Sequence, residues 1–68
     1  MAHPIGTEVT YRHQGKRRRA QVTEHHPDTG EVHGLAVYDA NGGIEFGVSA
    51  PKLATTPEHE ITDGYFHR

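Results

Sequence analysis

Four consecutive cations, Lys16 to Arg19, are the residues of this sequence best suited to contact a charged partner. With Arg12 they account for five of the chain's seven Lys and Arg residues. Guanidinium groups form paired hydrogen bonds with carboxylates and phosphates, and a lysine ammonium adds a compact charge. The run is therefore compatible with three situations: a solvated loop, contact with an acidic protein surface, or contact with nucleic-acid phosphate.

Histidines are the second feature with chemical potential. The chain has seven of them: His3, His13, His25, His26, His33, His59 and His67. Neighbouring residues of a strand point to opposite faces, so His25 and His26 do not share a site. His25 and His33 could meet across the turn between them, which supplies two ligands where zinc takes three or four. We therefore predict no metal site and no cofactor, and we expect at most a mild pH sensitivity of assembly.

No pattern in the sequence brings catalytic groups together. The chain has no cysteine, which excludes a thiolate nucleophile and a disulfide framework. Ser49 has no recognisable base and orienting carboxylate, and Gly42 and Gly43 belong to a hairpin turn instead of a phosphate loop before a helix. We predict that the protein is not an enzyme.

Composition limits the function classes further. The net charge of the 68 residues is -2, which argues against a general nucleic-acid coat, and the cations are confined to one region. Only 32% of the residues are hydrophobic and tryptophan is absent, so we expect a thin core that a partner or oligomer would stabilise. No apolar run approaches the roughly 20 residues of a membrane span, and "MAHPIGTEV" lacks the features of a secretory signal. We expect no membrane partner and a protein that stays inside the cell that makes it.

Alternating apolar and polar residues predict short strands throughout. The segments are 7–13, 19–25, 31–40 and 44–49, with a final short strand or docking segment at Tyr65 and Phe66. Turns are predicted at Gly15, at "PDTG" and at "NGG", the last because Asn-Gly suits a type I′ turn. Residues 31–40 carry apolar side chains on both faces, which predicts a strand covered on both sides.

Short strands at this spacing predict an all-β fold, and their arrangement resembles a single small SH3-like antiparallel barrel of about five strands. The whole chain, 1–68, forms one domain in this interpretation. Residues 1–6 are an N-terminal arm, residues 50–64 an irregular segment with a helical turn after Pro57, and residues 65–68 a C-terminal docking segment.

The order of motifs resembles a family of small proteins encoded by phages of actinobacteria. The shared outline is Gly-x-x-Val-x-Tyr, Ala-x-Val-Thr-Glu, Leu-x-Val, Gly-x-x-Phe and a final Gly-aromatic-His segment. It corresponds here to Gly6, Val9, Tyr11, Ala20, Val22, Thr23, Glu24, Leu35, Val37, Gly43, Phe46, Gly64, Tyr65 and His67. Phe66 stands where the family pattern has Trp. The resemblance implies a phage product without known catalysis, and a component of the virion.

These inferences give one hypothesis with open alternatives. The protein is expected to be a non-enzymatic structural and binding module, a minor virion protein that decorates and stabilises the capsid. Its expected partner is the major capsid protein, with self-association as an option. The protein is expected in the virion, after synthesis in the cytoplasm of the bacterial host. The alternatives are a small nucleic-acid-binding barrel of the SH3-like or KOW-like kind, and a head-tail or tail adapter.

Two groups of residues are the candidate contacts. The basic hairpin comprises Arg12, Lys16, Arg17, Arg18 and Arg19, which we expect at a hairpin tip. The aromatic group comprises Tyr38, Tyr65 and Phe66, which either form an interface or close the ends of the barrel.

Overall fold

A computed structural model describes residues 3–68, which form six strands and one short helix. Its elements are β1 (Glu8–His13), β2 (Lys16–His25), β3 (Val32–Tyr38), β4 (Ile44–Ser49), β5 (Lys52–Leu53), α1 (Pro57–Glu60) and β6 (Tyr65–His67). All six strands belong to one sheet, in the order β4-β3-β2-β1-β6-β5.

The sheet curls into a half-barrel, with β4 and β5 as its two end strands among the described residues. The prediction of a small all-β barrel is confirmed, with six strands instead of about five. Successive neighbours pair antiparallel except β5 and β6, which run parallel. That parallel pair departs from the wholly antiparallel sheet that was expected.

The hairpin between β1 and β2 is closed by a two-residue turn. Gln14 and Gly15 both have positive φ, 52° and 75°, as a type I′ turn requires. The register continues regularly from there, with His13 opposite Lys16 and Arg12 opposite Arg17. The cation run therefore starts beside the turn and extends along β2, instead of clustering at the hairpin tip as expected.

The "NGG" turn between β3 and β4 is held by Asp39. Its carboxylate Oδ1 accepts the backbone N–H of Asn41 at 2.9 Å and of Gly43 at 3.0 Å, while its own N–H donates to the Gly43 carbonyl at 2.8 Å. Gly42 has a φ of 89°, a conformation that side chains disfavour. The prediction of a hairpin at this point is confirmed, but the type I′ turn is wrong: the loop has five residues, 39–43, and Asn41 lacks the positive φ that this turn requires.

The core is small and lies on the inner face of the curled sheet. Its buried side chains are Val9, Tyr11, Ala20, Val22, Leu35, Val37 and Phe66. They occupy alternate positions of their strands, as the periodicity predicted. Val32, Phe46 and Val48 pack against this core but remain partly exposed, so the core is incompletely covered beside β4. Ala36, on the other face of β3, is also buried, in line with the expected two-sided burial.

The segment expected to be irregular is partly ordered by pairing. β5 lies beside β6, and the Ala54 N–H donates to the Phe66 carbonyl at 2.8 Å. The expected helical turn after Pro57 is α1, where proline occupies the first turn and needs no hydrogen-bond partner for its nitrogen. The C-terminal segment is β6, which pairs with β1 and carries Phe66 into the core.

The N-terminal arm also lies against the sheet over its described part. The Gly6 N–H donates to the Val22 carbonyl at 2.8 Å, and the Thr7 carbonyl accepts the Val22 N–H at 3.0 Å. His3 is buried, with its ring edge-on to Phe66 at 5.5 Å between centroids. Residues 1 and 2 of the predicted arm lie outside the described residues.

Candidate interaction surfaces

The alternation of β2 divides the basic hairpin between two faces of the sheet. Arg18 lies on the same side as Ala20 and Val22, which face the core. Arg17 and Arg19 lie on the opposite, outer face. The cations of "KRRR" therefore do not act as one group.

Arg18 is a structural residue. Its Nη2 donates to the carbonyl of Tyr38 at 3.0 Å and forms an ion pair with Glu45. The Arg18 side chain is only 22% exposed. It joins β2 to the ends of β3 and β4, and its charge is not available to a partner.

Arg19 is paired with Glu8 on the adjacent strand. The Arg19 Nε donates to Oε2 of Glu8 at 2.8 Å, and this hydrogen bond together with the carboxylate charge raises the pKa of Arg19. Both side chains are largely exposed, so solvent screens the pair. Arg19 still contributes little net charge to the surface because Glu8 neutralises it.

The remaining three cations of the hairpin, Arg12, Lys16 and Arg17, form no ion pair among the described residues. Arg12 and Arg17 are directly opposite each other across β1 and β2, where like charges are destabilising. Arg12 donates through Nη2 to the Gly15 carbonyl at 3.2 Å, and its buried Nε has no hydrogen-bond partner within residues 3–68. Arg12 and Arg17 share the outer face, whereas Lys16 lies on the side of Arg18, beside the turn. We call Arg12 and Arg17 the free cation cluster.

The surroundings of the free cation cluster combine acidic and apolar groups. The carboxylate of Asp63 accepts the Gly15 N–H at 2.9 Å, which ties the loop after α1 to the hairpin turn. Ile61, two residues before Asp63, is 68% exposed. Arginine is enriched at protein interfaces, and the buried centre of an interface is more apolar than the rest of the surface.

The three candidate aromatics have different environments. Phe66 is 2% exposed and packs in the core, so its proposed role in an interface is corrected. Tyr38 is half-buried and its hydroxyl donates to Oε1 of Gln21 at 2.7 Å. Tyr65 is half-buried and stacks on His59, with 4.7 Å between centroids and 11° between planes.

Histidine contacts are mostly structural. The short contact between His25 Nε2 and the His3 carbonyl, 2.5 Å, requires the proton on Nε2. Nδ1 of His26 accepts the Asp28 N–H at 3.1 Å, so the neutral ring carries its proton on Nε2 and has no free lone pair for a metal. His33 contacts His26, at 5.4 Å between ring centroids, so the expected meeting of His25 with His33 is not the one that forms. No group of three candidate ligands for a metal exists within residues 3–68.

A groove of about 710 Å³ lies between the β2–β3 turn and the segment that carries β5. His3 and Phe66 lie on its lining, beside His33, Pro51 and Leu53. Burial, and next the positive charge of Arg68, lowers the pKa of His3. The sequence did not predict this groove, because its lining comes from four separate segments of the chain.

Comparison with known proteins identifies no family: no protein-family model, no curated protein and no solved structure matches this chain. Within residues 3–68, α1 has four residues, and no helix has the length and apolar character needed to cross a membrane.

Proposed function

We propose that this chain is a non-enzymatic binding module that docks on a larger protein assembly through the free cation cluster. The observation that carries the proposal is the juxtaposition of Arg12 and Arg17 on the hairpin, where no carboxylate of residues 3–68 forms an ion pair with either. Such a pair is unfavourable in the isolated chain and becomes favourable when an anionic group binds between the two guanidinium groups.

A protein carboxylate surface fits this cluster better than a nucleic-acid backbone. Within residues 3–68, Arg12 and Arg17 are the cations of the hairpin that are unpaired on the outer face, and Asp63 lies close to the same hairpin. The Asp63 carboxylate would repel a phosphate chain, whereas a folded partner can place one or two carboxylates against Arg12 and Arg17 and avoid it. Exposed Ile61 would add apolar contact at the rim.

The identity of the assembly comes from the family resemblance. We propose a phage capsid, with the major capsid protein as the partner and the virion as the location after synthesis in the bacterial cytoplasm. The module would act as a minor decoration protein that stabilises the shell. The resemblance between the motifs and small phage proteins supports this part of the proposal, and the geometry of the hairpin supports the docking surface.

The test uses capsids of a phage that carries this gene, prepared without this protein. Purified protein should bind them at a fixed ratio to the major capsid protein, measured by mass spectrometry of density-purified particles. Arg17→Gln should weaken binding about tenfold, through the loss of one charge-assisted contact. Arg19→Gln removes the same charge from the same face but takes it from an internal ion pair, so binding should change less than about threefold.

Two results would oppose this proposal. Absence of the protein from washed particles would exclude a virion component. Equal weakening by Arg17→Gln and Arg19→Gln would show that the partner senses only overall charge and does not contact the free cation cluster.

A second candidate, binding of single-stranded nucleic acid, is favoured by one observation. Tyr65 follows Gly64, whose N–H donates to the Arg12 carbonyl at 3.0 Å, so the Tyr65–His59 stack lies beside the cluster and could extend to a base. Two cations would give a slope of about -1.4 in a plot of log K against log salt. A slope of this size with oligonucleotides, abolished by neutralising Arg12 and Arg17, would favour this candidate over the capsid.

A further inference from the structure

The backbone geometry of β4 points to a second binding surface, which is independent of the free cation cluster. β4 is an end strand of the sheet within residues 3–68. The Ala50 N–H donates to the His33 carbonyl at 2.7 Å, so these two residues form a hydrogen-bonded pair. Ser49 and Gly34 are next in register and form a non-hydrogen-bonded pair. Hydrogen-bonded and non-hydrogen-bonded pairs alternate in an antiparallel ladder. Phe46 and Val48 therefore direct their backbone groups toward β3, whereas Gly47 and Ser49 direct theirs away from the sheet.

Apolar side chains accompany this unpaired backbone. Phe46 and Val48 lie on the core side of β4 and are only partly buried. Ile44, at the start of the same strand, is 67% exposed. The edge thus offers main-chain donors and acceptors next to an apolar surface, which is the combination that another strand can cover.

The charge that would normally protect such an edge is neutralised. Glu45 is the charged residue of β4, and charged side chains on edge strands hinder pairing with other chains. Here Glu45 forms an ion pair with Arg18. A register irregularity between β3 and β4 at this point also takes Glu45 out of the regular ladder. The regular segment, Phe46 to Ser49, carries no charge.

We propose that β4 pairs antiparallel with β4 of a second copy of this chain, about a two-fold axis at Val48. This register places Gly47 opposite Ser49 of the second copy, and both residues present their backbone groups outward, so four main-chain hydrogen bonds form. Val48 meets Val48 of the second copy on the core side. Glu45 lies beyond the paired segment, so no two carboxylates oppose each other.

A second copy is the occupant because the segment is complementary to itself. The two-fold pairing matches the outward backbone groups of Gly47 and Ser49 with their counterparts and places Val48 against Val48 of the second copy. Gly47 places no side chain on the outer face, and therefore offers no steric barrier to the close approach of the second strand. The pairing covers few residues, so we expect a weak dimer whose population rises with concentration.

Disulfide trapping tests the register directly, because the chain has no cysteine of its own. The two Val48 residues form a non-hydrogen-bonded pair with Cα atoms about 4.5 Å apart, a separation that a disulfide spans. Val48→Cys should therefore form a covalent dimer under mild oxidation. Ile44→Cys provides the control, since it lies on the same strand and is more exposed but far from its counterpart. If Ile44→Cys is trapped as fast as Val48→Cys, the proposed register is wrong.

A pair of variants at Gly47 tests the main-chain bonds. A Cβ at this position meets only the Leu35 carbonyl at 3.7 Å, an ordinary contact, so Gly47→Ala should fold and dimerise. Gly47→Pro removes the outward N–H in both copies and should weaken the dimer about tenfold or more by sedimentation equilibrium. Equal dimerisation of these two variants, or a native chain that stays monomeric at millimolar concentration, would overturn the proposal. Capsid binding by a strictly monomeric chain would leave the proposed function intact, so the two failures are distinguishable.

Discussion

Replacing Arg18 by Ala should destabilise the fold, whereas replacing Arg17 should not. The substitution at Arg18 removes a hydrogen bond to the Tyr38 carbonyl and an ion pair with Glu45. A hydrogen bond from a charged group contributes about 1.5–3 kcal/mol, and the half-exposed ion pair adds little more. We expect a loss of about 2 kcal/mol, which is a large part of the roughly 3–10 kcal/mol available to a chain of this size. The melting temperature should fall by about 10 °C.

The same replacement at Arg17 removes an unpaired side chain that faces Arg12. The expected change is within about 0.5 kcal/mol, with a gain in stability because a repulsive pair is relieved. Urea unfolding followed by far-UV circular dichroism measures both variants, since the chain has no tryptophan for fluorescence. A loss at Arg17 equal to that at Arg18 would refute the division of the basic hairpin into structural and free cations.

Three further predictions follow from local geometry. The pKa of His3 is lowered in the folded chain, so the unfolded chain binds this proton more readily. Stability should therefore fall as pH drops below about 6.5 and level off below the folded pKa. Thermal unfolding from about pH 4 to 8 measures this pH dependence, and His3→Leu should lack the contribution of His3. Gln14 has a φ of 52°, so Gln14→Asn should raise the free energy of unfolding by about 0.5 kcal/mol in urea titrations. A Cβ on Gly34 would lie 2.9 Å from Oγ1 of Thr23, so Gly34→Ala should cost about 1–3 kcal/mol, and the double variant with Thr23→Ala should recover part of the loss.

Alternation and turn chemistry were sufficient to predict most of the fold. The strand segments carry apolar residues at every second position, and Asn41 and Gly42 mark the position of the hairpin after β3. Both are local properties, in which residues a few positions apart determine the geometry. The pairing of β5 with β6 is not local, because the two strands are separated by α1 and meet only through tertiary contact. No period in residues 50–64 indicates it.

The candidate site was predicted less well for the same reason. The ion pair of Arg18 with Glu45 joins residues 27 positions apart. The ion pair of Glu8 with Arg19, which offsets the charge of Arg19, depends on the register of β1 with β2. Phe66 was assigned to either an interface or the core, because a three-residue strand shows no period long enough to indicate which of its side chains points inward. The sequence shows where the cations lie along the chain, but only the sheet register shows which of them have partners.

A run of four cations on a strand cannot act as a single anion-binding group. Consecutive side chains alternate between the two faces, so two of the four point to each side of the sheet. In a small barrel one of those sides faces the core, where a charge must be paired, and Arg18 is paired with Glu45 for that reason. The same ion pair neutralises the protecting charge of the β4 edge. The two proposals therefore share one structural origin. Arg18 is withdrawn from the surface, which leaves Arg12 and Arg17 as the cluster available to an acidic partner and leaves β4 able to pair with a second copy.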